Sequence, residues 1–271
     1  MSDIFDAVRR AAEEMGSCDP LWLGKRKAPE FKTAEPGGNG PTVILLHGLF
    51  GALSNWDSVL PHLQKFCTPI ALHFPLVTGH RSEVKVKALA AYTEFFIRKR
   101  KFEKVILCGN SLGGHVAMRL YLATPSLVPA LILSGTSGLY EHSPDSLPVR
   151  PDRVFIKDHM KRVFYHDKFI TDQAIEDIYS TIKERVNVLN IIHAARSAKK
   201  DNLSKYLPSI KAPTLLLWGK NDEVTTMDVA HTFRNKIPSA QLKVIDQCGH
   251  APMIEHPEWF AKQMRAFIES L

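Results

Sequence analysis

The sequence predicts an α/β fold in which a mostly parallel sheet is covered by helices on both faces. Short, continuously apolar runs recur along the chain, and segments with helical periodicity separate several of them. With 271 residues, 45% of them hydrophobic, the chain is long enough to bury a sizeable core. We therefore expect one large domain, or a core with a modest insertion.

The predicted strands are continuously apolar rather than alternating, which is typical of strands buried on both faces. They are TVILLHG (42–48), TPIALHF (68–74), KVILCG (104–109), ALILSG (130–135), PTLLLWG (213–219) and AQLKVID (240–246). Helical spacing is clear at 84–99 and at 112–123, and an amphipathic segment at 256–271 closes the chain. This alternation predicts parallel neighbours in the sheet.

Two segments depart from the alternation. Within residues 1–40, the apolar residues at 4–15 fall at helical spacing, which predicts an extension with an amphipathic helix that packs on the body of the protein or, as the less favoured alternative, on a partner. Residues 136–206 contain no run of the buried-strand type, and their apolar residues recur at helical spacing. We interpret 136–206 as a helical cap, and 41–135 together with 207–271 as the core.

Composition and charge narrow the classes of partner. The 35 Lys and Arg exceed the 28 Asp and Glu by a formal +7, but the basic clusters are scattered and not interleaved with aromatic residues, so we expect no nucleic-acid partner.

No apolar stretch approaches the roughly 20 residues of a membrane span, and the acidic start lacks the apolar core of a signal peptide. The four cysteines lack CxxC spacing, which predicts reduced thiols and no metal site. We expect a cytoplasmic protein.

The segment CGNSLGG, at residues 108–114, contains the motif G-x-S-x-G between a predicted strand and a predicted helix. This context places Ser111 on a tight turn where a side chain at Gly109 or Gly113 would collide with the neighbouring backbone. The Ser111 hydroxyl would project from the carboxyl edge of the sheet, next to the N-terminus of a helix that begins at Leu112. Ser111 is therefore the candidate nucleophile, and a serine in that role needs a base.

A base and an orienting acid follow in the loops after the last two predicted strands. Asp222 lies in the first of these loops and His250 in the second, so the order Ser111, Asp222, His250 matches the nucleophile-elbow class. His250 would accept the serine proton, and Asp222 would fix the tautomer of the imidazole. Asp228, in the next predicted helix, and Asp246, at the end of a strand, compete for the acid role.

The segment LLHGLFG supplies the candidate oxyanion hole. Gly48 lets the chain turn sharply after its strand, so that the backbone N–H of Leu49 can point inward, with that of Phe50 as the second choice. Together with the N–H of Leu112, it would bind the negative charge of a tetrahedral intermediate. His47 is interpreted as a brace that holds this loop by hydrogen bonds rather than as a second base.

In four motifs and their order, the chain resembles the α/β-hydrolase superfamily, specifically its small members with a helical cap. The motifs are HGLFG, GNSLGG, WGKNDEV and CGHAPMIEHPE, within a resemblance that covers 42–271. It implies an eight-stranded, mostly parallel sheet, a cap near 136–206 and catalysis by the Ser-Asp-His group without a cofactor. Two features depart from the family: LHFPLVTGHRS replaces the loop D-x-P-G-x-G-x-S, and residues 1–40 show no clear first hairpin.

Substrate specificity is expected to reside in and around the cap. Phe50, Phe155, Phe164 and Met253 are candidates for lining a substrate pocket, and helix packing accounts for the same apolar pattern. The arginines of the cap are candidates for binding a substrate carboxylate, or are surface residues: Arg153, Arg162, Arg185 and Arg196.

These residues predict a serine hydrolase that cleaves a small-molecule ester or lactone through an acyl-enzyme on Ser111. The same acyl-enzyme keeps a perhydrolase or an acyltransferase open. A C–C bond hydrolase of ring-cleavage diketones is a further alternative, but those enzymes usually place a tryptophan after the histidine, where this chain has Ala251. Epoxide and haloalkane hydrolysis are disfavoured, because both require a carboxylate at the position of Ser111. A non-catalytic ligand receptor on the same fold is the alternative outside enzymes.

Overall fold

The computed structural model describes residues 2–14, 21–25, 27–51, 53–140 and 151–271. Seven strands in these ranges form a single sheet. They are β1 (Thr33–Ala34), β2 (Thr42–Leu46), β3 (Thr68–Leu72), β4 (Ile106–Asn110), β5 (Leu131–Ser134), β6 (Thr214–Gly219) and β7 (Ala240–Ile245). Their order across the sheet is β1-β3-β2-β4-β5-β6-β7. Because β1 alone runs antiparallel to its neighbour, the predicted mostly parallel sheet is confirmed.

Helices connect the strands and cover the sheet. The α-helices are α1 (Ser2–Glu14), α2 (Leu21–Gly24), α3 (Leu60–Leu63), α4 (Val86–Lys99), α5 (Leu112–Ala123), α6 (Arg153–Val163), α7 (Asp172–Ile182), α8 (Arg185–Lys200), α9 (Met227–Lys236), α10 (Pro252–Glu255) and α11 (Pro257–Ile268). Short 3-10 helices lie at Leu53–Trp56, Pro125–Leu127, Asp167–Phe169 and Leu207–Ser209. The predicted α/β class is therefore confirmed.

The described residues form seven strands, one fewer than the eight that the family resemblance implies. The difference arises in the described part of residues 1–40, where α1, α2 and the two-residue β1 stand in place of a first hairpin. The side chains of α1 explain this outcome, because Phe5, Val8 and Ala12 are buried at helical spacing. A strand would have sent these residues to both faces.

Two hydrophobic clusters fill the opposite faces of the sheet. In β2, Ile44 and Leu46 belong to the first cluster and Val43 and Leu45 to the second, and all four are fully buried. Helices α1, α4, α5 and α9 contribute to the first cluster, and α3 and α11 contribute to the second. Burial on both faces explains why the central strands are continuously apolar.

Helix α1 packs on the body of the protein, as the sequence predicts. The Phe5 ring lies 4.9 Å from the ring of Phe95 on α4, centroid to centroid, and Val8 is fully buried. Trp22 meets the same Phe95 ring edge-on at 5.2 Å. Residues 2–14 therefore belong to the main core and not to a detached tail.

Between β5 and β6, α6, α7 and α8 form what we name the cap segment, residues 151–200. The side chain of Asp152 caps α6 by accepting the N–H of Phe155 at 2.8 Å, and Thr171 caps α7 in the same way. The three helices share a hydrophobic cluster that also contacts Leu49 and Phe50, in the loop after β2. This contact places the cap segment over the carboxyl edge of the sheet.

Within the described ranges, no helix combines the length and the apolar character that crossing a bilayer requires.

We expect Phe5→Ala to lower the free energy of unfolding by about 3 kcal/mol, because it removes a buried ring from the contact between α1 and α4. Urea unfolding followed by circular dichroism measures the change. Arg10→Ala, at an exposed position of the same helix, is the control and should change it by less than about 0.5 kcal/mol. Equal effects of the two substitutions would show that α1 does not belong to the core.

Candidate active site

Ser111 lies between β4 and α5 in a strained backbone conformation, with φ of 54° and ψ of −119°. Its N–H donates to the carbonyl of Ser134, at the end of β5, over 3.0 Å. Its carbonyl accepts from the N–H of Gly114 and, across the turn, from that of Ser137 at 3.1 Å each. The flanking strand and helix therefore hold a conformation that a residue with a side chain rarely adopts. Ser111 itself is half-buried.

The glycines around Ser111 are required by close backbone contacts. A Cβ atom on Gly109 would lie 2.3 Å from the carbonyl carbon of Gly113, and one on Gly113 would lie 2.0 Å from the carbonyl oxygen of Leu46. Real Cβ atoms essentially never come this close to backbone. The structure thus gives the tight turn that the motif predicts.

Asp222 and His250 meet next to this turn. The Nδ1 atom of His250 lies 2.8 Å from Oδ2 of Asp222, and both residues are buried. Oδ1 of Asp222 accepts the N–H groups of Val224 and Thr225 at 2.8 Å, and Oδ2 also accepts the Thr225 hydroxyl at 2.9 Å. The carboxylate is therefore fixed on both oxygens, and it imposes an Nδ1–H tautomer on His250.

The two competing aspartates bind elsewhere. Asp246 is exposed and pairs with Lys220 at 2.6 Å. Asp228 accepts hydrogen bonds from the hydroxyls of Tyr140 and Thr226. Of the three aspartates considered from the sequence, Asp222 is the one in contact with the imidazole of His250.

Asn110 joins the Ser111 turn to the loop of His250. Its side-chain amide donates to the carbonyl of His250 at 3.0 Å and to the carbonyl of Ser134 at 3.1 Å. A Cβ built on Gly135, the residue after Ser134, would lie 2.9 Å from Nδ1 of His250. The turn and the imidazole are therefore built around the same short stretch of backbone.

The loop after β2 approaches Ser111 from the other side. A Cβ on Gly48 would lie 3.2 Å from the Cβ of Ser111, and a turn closed by the Gly51 N–H and the Gly48 carbonyl leaves Leu49 and Phe50 at its centre. Among the described residues, the N–H groups of Leu49, Phe50 and Leu112 donate to no backbone carbonyl. Both candidates for the first oxyanion donor therefore remain open.

His47 braces this loop, as the sequence analysis proposes. Its Nδ1 donates to the carbonyl of Gly48 at 2.8 Å, and its Nε2 accepts the N–H of Phe74 at 2.9 Å. Burial lowers the pKa of His47 to about 4, so the ring is neutral near pH 7. Both ring nitrogens are used in holding β2 and β3 together at the carboxyl edge.

The predicted pocket residues divide into two groups. Phe50 and Phe164 pack against the hydrophobic cluster of the cap segment, and Phe155 stacks on the ring of His159. Met253 is fully buried in the second core cluster. The structure therefore brings three of the four candidates to the cap segment and places Met253 in the core.

Of the arginine candidates, Arg153 has a partner within the cap segment, and Cys108 and Cys248, which flank the site in sequence, are buried. Arg153 forms a two-point ion pair with Glu176, at 2.7 and 3.0 Å, on the surface of the cap segment. Burial raises the pKa of the thiols of Cys108 and Cys248, which disfavours the thiolate that a cysteine nucleophile needs. Cys18 lies outside the described residues, which also contain no cluster of His, Cys, Asp and Glu suited to a metal ion.

Comparison with known proteins agrees with this architecture. Residues 41–257 match the family defined by the α/β hydrolase fold. The chain belongs to the α/β-hydrolase family. It is 30% identical over 248 residues, 85% of each chain, to the 2-hydroxy-6-oxo-6-(2'-aminophenyl)hexa-2,4-dienoic acid hydrolase of Metapseudomonas resinovorans.

Two further relatives of this α/β hydrolase extend the comparison. The pimeloyl-(acyl-carrier protein) methyl ester esterase of Nitrosomonas europaea is 27% identical, over 83% of this chain and 95% of that one. Among solved structures, MGS-MChE2, an α/β hydrolase enzyme from the metagenome of lagoon sediments at Mar Chica, Morocco, is 33% identical with a TM-score of 0.72. The match covers 89% of this chain and 96% of that chain.

Sequence reasoning missed the contacts that fasten the cap segment of this α/β hydrolase to the loop of His250. The N–H of His250 donates to the carbonyl of Val163, the last residue of α6, at 2.7 Å. The buried carboxylate of Glu255 accepts the N–H of Gly249 at 2.7 Å and two successive N–H groups that begin at Tyr165, at 3.0 and 3.1 Å. Glu255 lies in the motif CGHAPMIEHPE, but the motif alone does not reveal its partners in the cap.

A second group of buried polar residues joins α5 to the end of α8. Arg119 binds Asp201 through two hydrogen bonds, at 2.7 and 2.6 Å, and Nε2 of His115 lies 3.2 Å from the same carboxylate. Nδ1 of His115 lies 3.5 Å from the hydroxyl of Ser137, whose N–H reaches the carbonyl of Ser111. Sequence reasoning could not find Asp201 as the partner of His115, because the two lie 86 residues apart.

The charge of Asp201 makes the stability of the fold depend on pH. Burial acts to raise the pKa of Asp201, but hydrogen bonds from His115 and Arg119 and their charges lower it from 3.8 to about 2. A lowered pKa means that the folded state prefers the ionised carboxylate. The stabilisation is thus complete above the ordinary pKa and is lost as the pH falls towards 2.

We expect Asp201→Asn to lose about 2 kcal/mol of unfolding free energy at pH 6, with the loss shrinking towards pH 2. Urea unfolding between pH 6 and pH 2 measures the difference from the wild type. Asp158→Asn, at an exposed carboxylate 3.4 Å from Lys161, is the control and should differ by less than about 0.5 kcal/mol. A pH-independent difference for Asp201→Asn would contradict this role.

Proposed function

We propose that this α/β hydrolase is a serine hydrolase that cleaves carboxylic esters or lactones. Ser111 is the nucleophile, His250 is the general base and Asp222 orients the imidazole. The observation that carries the proposal is the 2.8 Å contact between His250 and Asp222, beside a serine in a strained turn. If Ser111 served only in packing, nothing would favour keeping its backbone in this strained conformation.

The hydrogen bonds of Asp222 support the assignment of roles. With Oδ1 bound to two backbone N–H groups, Oδ2 is left to the Thr225 hydroxyl and to Nδ1–H of His250. Nε2 then carries the lone pair, which accepts the proton of the Ser111 hydroxyl as that oxygen attacks the substrate carbonyl. The carboxylate also stabilises the imidazolium that forms.

The oxyanion of the tetrahedral intermediate is assigned to the N–H groups of Leu112 and Leu49, with Phe50 as the alternative to Leu49. Leu112 is the first residue of α5, so the positive end of the helix dipole adds to its N–H. The loss of one such donor typically costs about 3 kcal/mol of transition-state stabilisation. His47 and the turn closed by Gly51 support the second donor by fixing the loop.

The reaction proceeds in two halves that need no cofactor. Collapse of the first intermediate breaks the ester C–O bond, and His250 returns the proton to the leaving alcohol. Water, deprotonated by His250, then attacks the acyl carbonyl and releases the acid and Ser111. We assign 136–206 to a cap that shapes the substrate pocket, and Phe50, Phe155 and Phe164 to its apolar lining.

We expect Ser111→Ala and His250→Ala each to lower kcat for p-nitrophenyl butyrate at least about 10³-fold, while Asp222→Asn lowers it comparably through the wrong tautomer. A fluorophosphonate probe should label the wild type and not Ser111→Ala. Ser270→Ala, at the end of the chain, is the matched control and should retain both labelling and turnover. Labelling of a folded Ser111→Ala variant would refute the assignment of the nucleophile.

A second candidate is hydrolysis of a C–C bond, and the comparison with known proteins favours it. The relative from Metapseudomonas resinovorans is named for an acid with hydroxyl and keto groups and no ester, so its hydrolysis breaks a C–C bond. Ala251 argues for the ester, since ring-cleavage hydrolases usually carry tryptophan at that position. The relative from Nitrosomonas europaea is named as an esterase.

A direct comparison of two substrates separates the two reactions. The enzyme is given p-nitrophenyl butyrate and, separately, 2-hydroxy-6-oxo-6-phenylhexa-2,4-dienoate, whose colour fades on cleavage. We expect kcat/KM for the ester to be at least about tenfold higher. The reverse ratio would assign C–C hydrolysis to Ser111. Folded protein that is neither labelled nor active on both substrates would favour a receptor on the same fold.

A further inference from the structure

His159 lies in the cap segment, between the residue that binds the loop of His250 and the ring of Phe50. It lies on α6, one turn before Val163, whose carbonyl binds the N–H of His250 at 2.7 Å. Its ring meets the ring of Phe50 edge-on at 5.0 Å and stacks on that of Phe155 at 6.4 Å. The imidazole therefore bridges the underside of the cap and the loop assigned to the oxyanion hole.

One ring nitrogen of His159 is not satisfied by the described part of the protein. Nδ1 is buried and has no hydrogen-bond partner among the described residues. Burial, and then the charges of His250 and Arg162, lower the pKa of His159 to about 4, so the ring is neutral near pH 7. Burying a nitrogen without a hydrogen-bond partner lowers the stability of the folded protein. A bound ligand that supplied the partner would recover this free energy.

We propose that His159 is a substrate-binding residue that hydrogen-bonds a keto or hydroxyl oxygen carried by the substrate near its scissile carbonyl. A neutral imidazole offers one donor and one acceptor, which match a hydroxyl group in either direction and a keto oxygen through the donor. The inference rests on the proposed function in one respect, since it takes Ser111 as the place where the scissile carbonyl binds.

A purely structural role makes a different prediction. As a flat ring between two phenylalanines, His159 would be replaced by phenylalanine without loss, because the shape and the ring contacts are retained. As a hydrogen-bonding group, it would be replaced better by asparagine, which keeps a donor and an acceptor but not the ring. The pair His159→Phe and His159→Asn therefore separates packing from recognition.

The test compares substrates that differ only by one oxygen. Methyl hexanoate is the reference for its 2-oxo, 3-oxo, 4-oxo and 5-oxo analogues, and ethyl hexanoate is the reference for the 2-hydroxyethyl ester of hexanoic acid. We expect the wild type to prefer at least one oxygen-bearing ester by about tenfold in kcat/KM. His159→Phe should abolish this preference while changing kcat/KM for methyl hexanoate less than about threefold, and His159→Asn should restore part of it.

The same substitution elsewhere in the cap segment controls for nonspecific effects. His193→Phe changes a half-buried histidine on α8 that faces Arg81, Lys85 and Arg196 rather than His250, and it should leave the preference intact. Circular dichroism melting confirms that each variant folds. Calorimetric binding of hexanoic acid and of its oxo analogues to Ser111→Ala gives the same comparison without turnover.

The outcomes keep the two proposals apart. If the wild type hydrolyses methyl hexanoate but prefers no oxygen-bearing ester, or if His159→Phe lowers all esters equally, the role of His159 is overturned and the proposed function stands. If Ser111→Ala retains hydrolysis, the proposed function fails whatever His159 does. If no ester turns over, equal calorimetric affinities of all the acids for Ser111→Ala overturn the role of His159.

Discussion

The backbone conformation of Ser111 is the constraint on which the site depends. A φ of 54° with a ψ of −119° is sparsely populated, and holding a residue there costs about 1–3 kcal/mol. The cost is offset by the pairing of β4 with both neighbouring strands and by hydrogen bonds that the carbonyl of Ser111 accepts from the backbone N–H groups of Gly114, His115 and Ser137. Asn110 and Gly48 join the loops of His250 and Leu49 to this turn.

The residues that hold the imidazole in place also hold the cap segment. The N–H of His250 is bound by the last carbonyl of α6, and Glu255 binds both the loop of His250 and the chain just after α6. On the other side, Asp201 ties the end of α8 to α5, the helix that follows Ser111. A movement of the cap segment away from the core would therefore disturb His250 and Ser111, the proposed base and nucleophile, together. The proposed function thus implies that substrate access and the geometry of these two residues are coupled.

Much of the fold could be predicted from sequence because its strands are local and unambiguous. The run ILC before Gly109 is apolar at every position, and such a run is stable only where both faces of a strand are covered. Parallel pairing then brings the ends of β4, β6 and β7 to one edge, which is why Ser111, Asp222 and His250 could be grouped from the sequence.

Other features depend on contacts between distant segments and leave no local pattern. Glu255 reaches the N–H of Tyr165 across 90 residues, and His115 reaches Asp201 across 86. In the sequence, His159 is one polar position on an amphipathic helix. Only the packing of α6 against Phe50 reveals that its Nδ1 is buried without a hydrogen-bond partner among the described residues.

A crystal structure of the protein after reaction with a fluorophosphonate would test whether Ser111 is the nucleophile. We predict continuous density from Oγ of Ser111 to phosphorus, with the phosphoryl oxygen within hydrogen-bonding distance of the N–H of Leu112 and of Leu49 or Phe50. We also predict that Ser111 keeps its positive φ. Phosphorus bonded to another residue, or a phosphoryl oxygen directed away from both loops, would contradict this assignment.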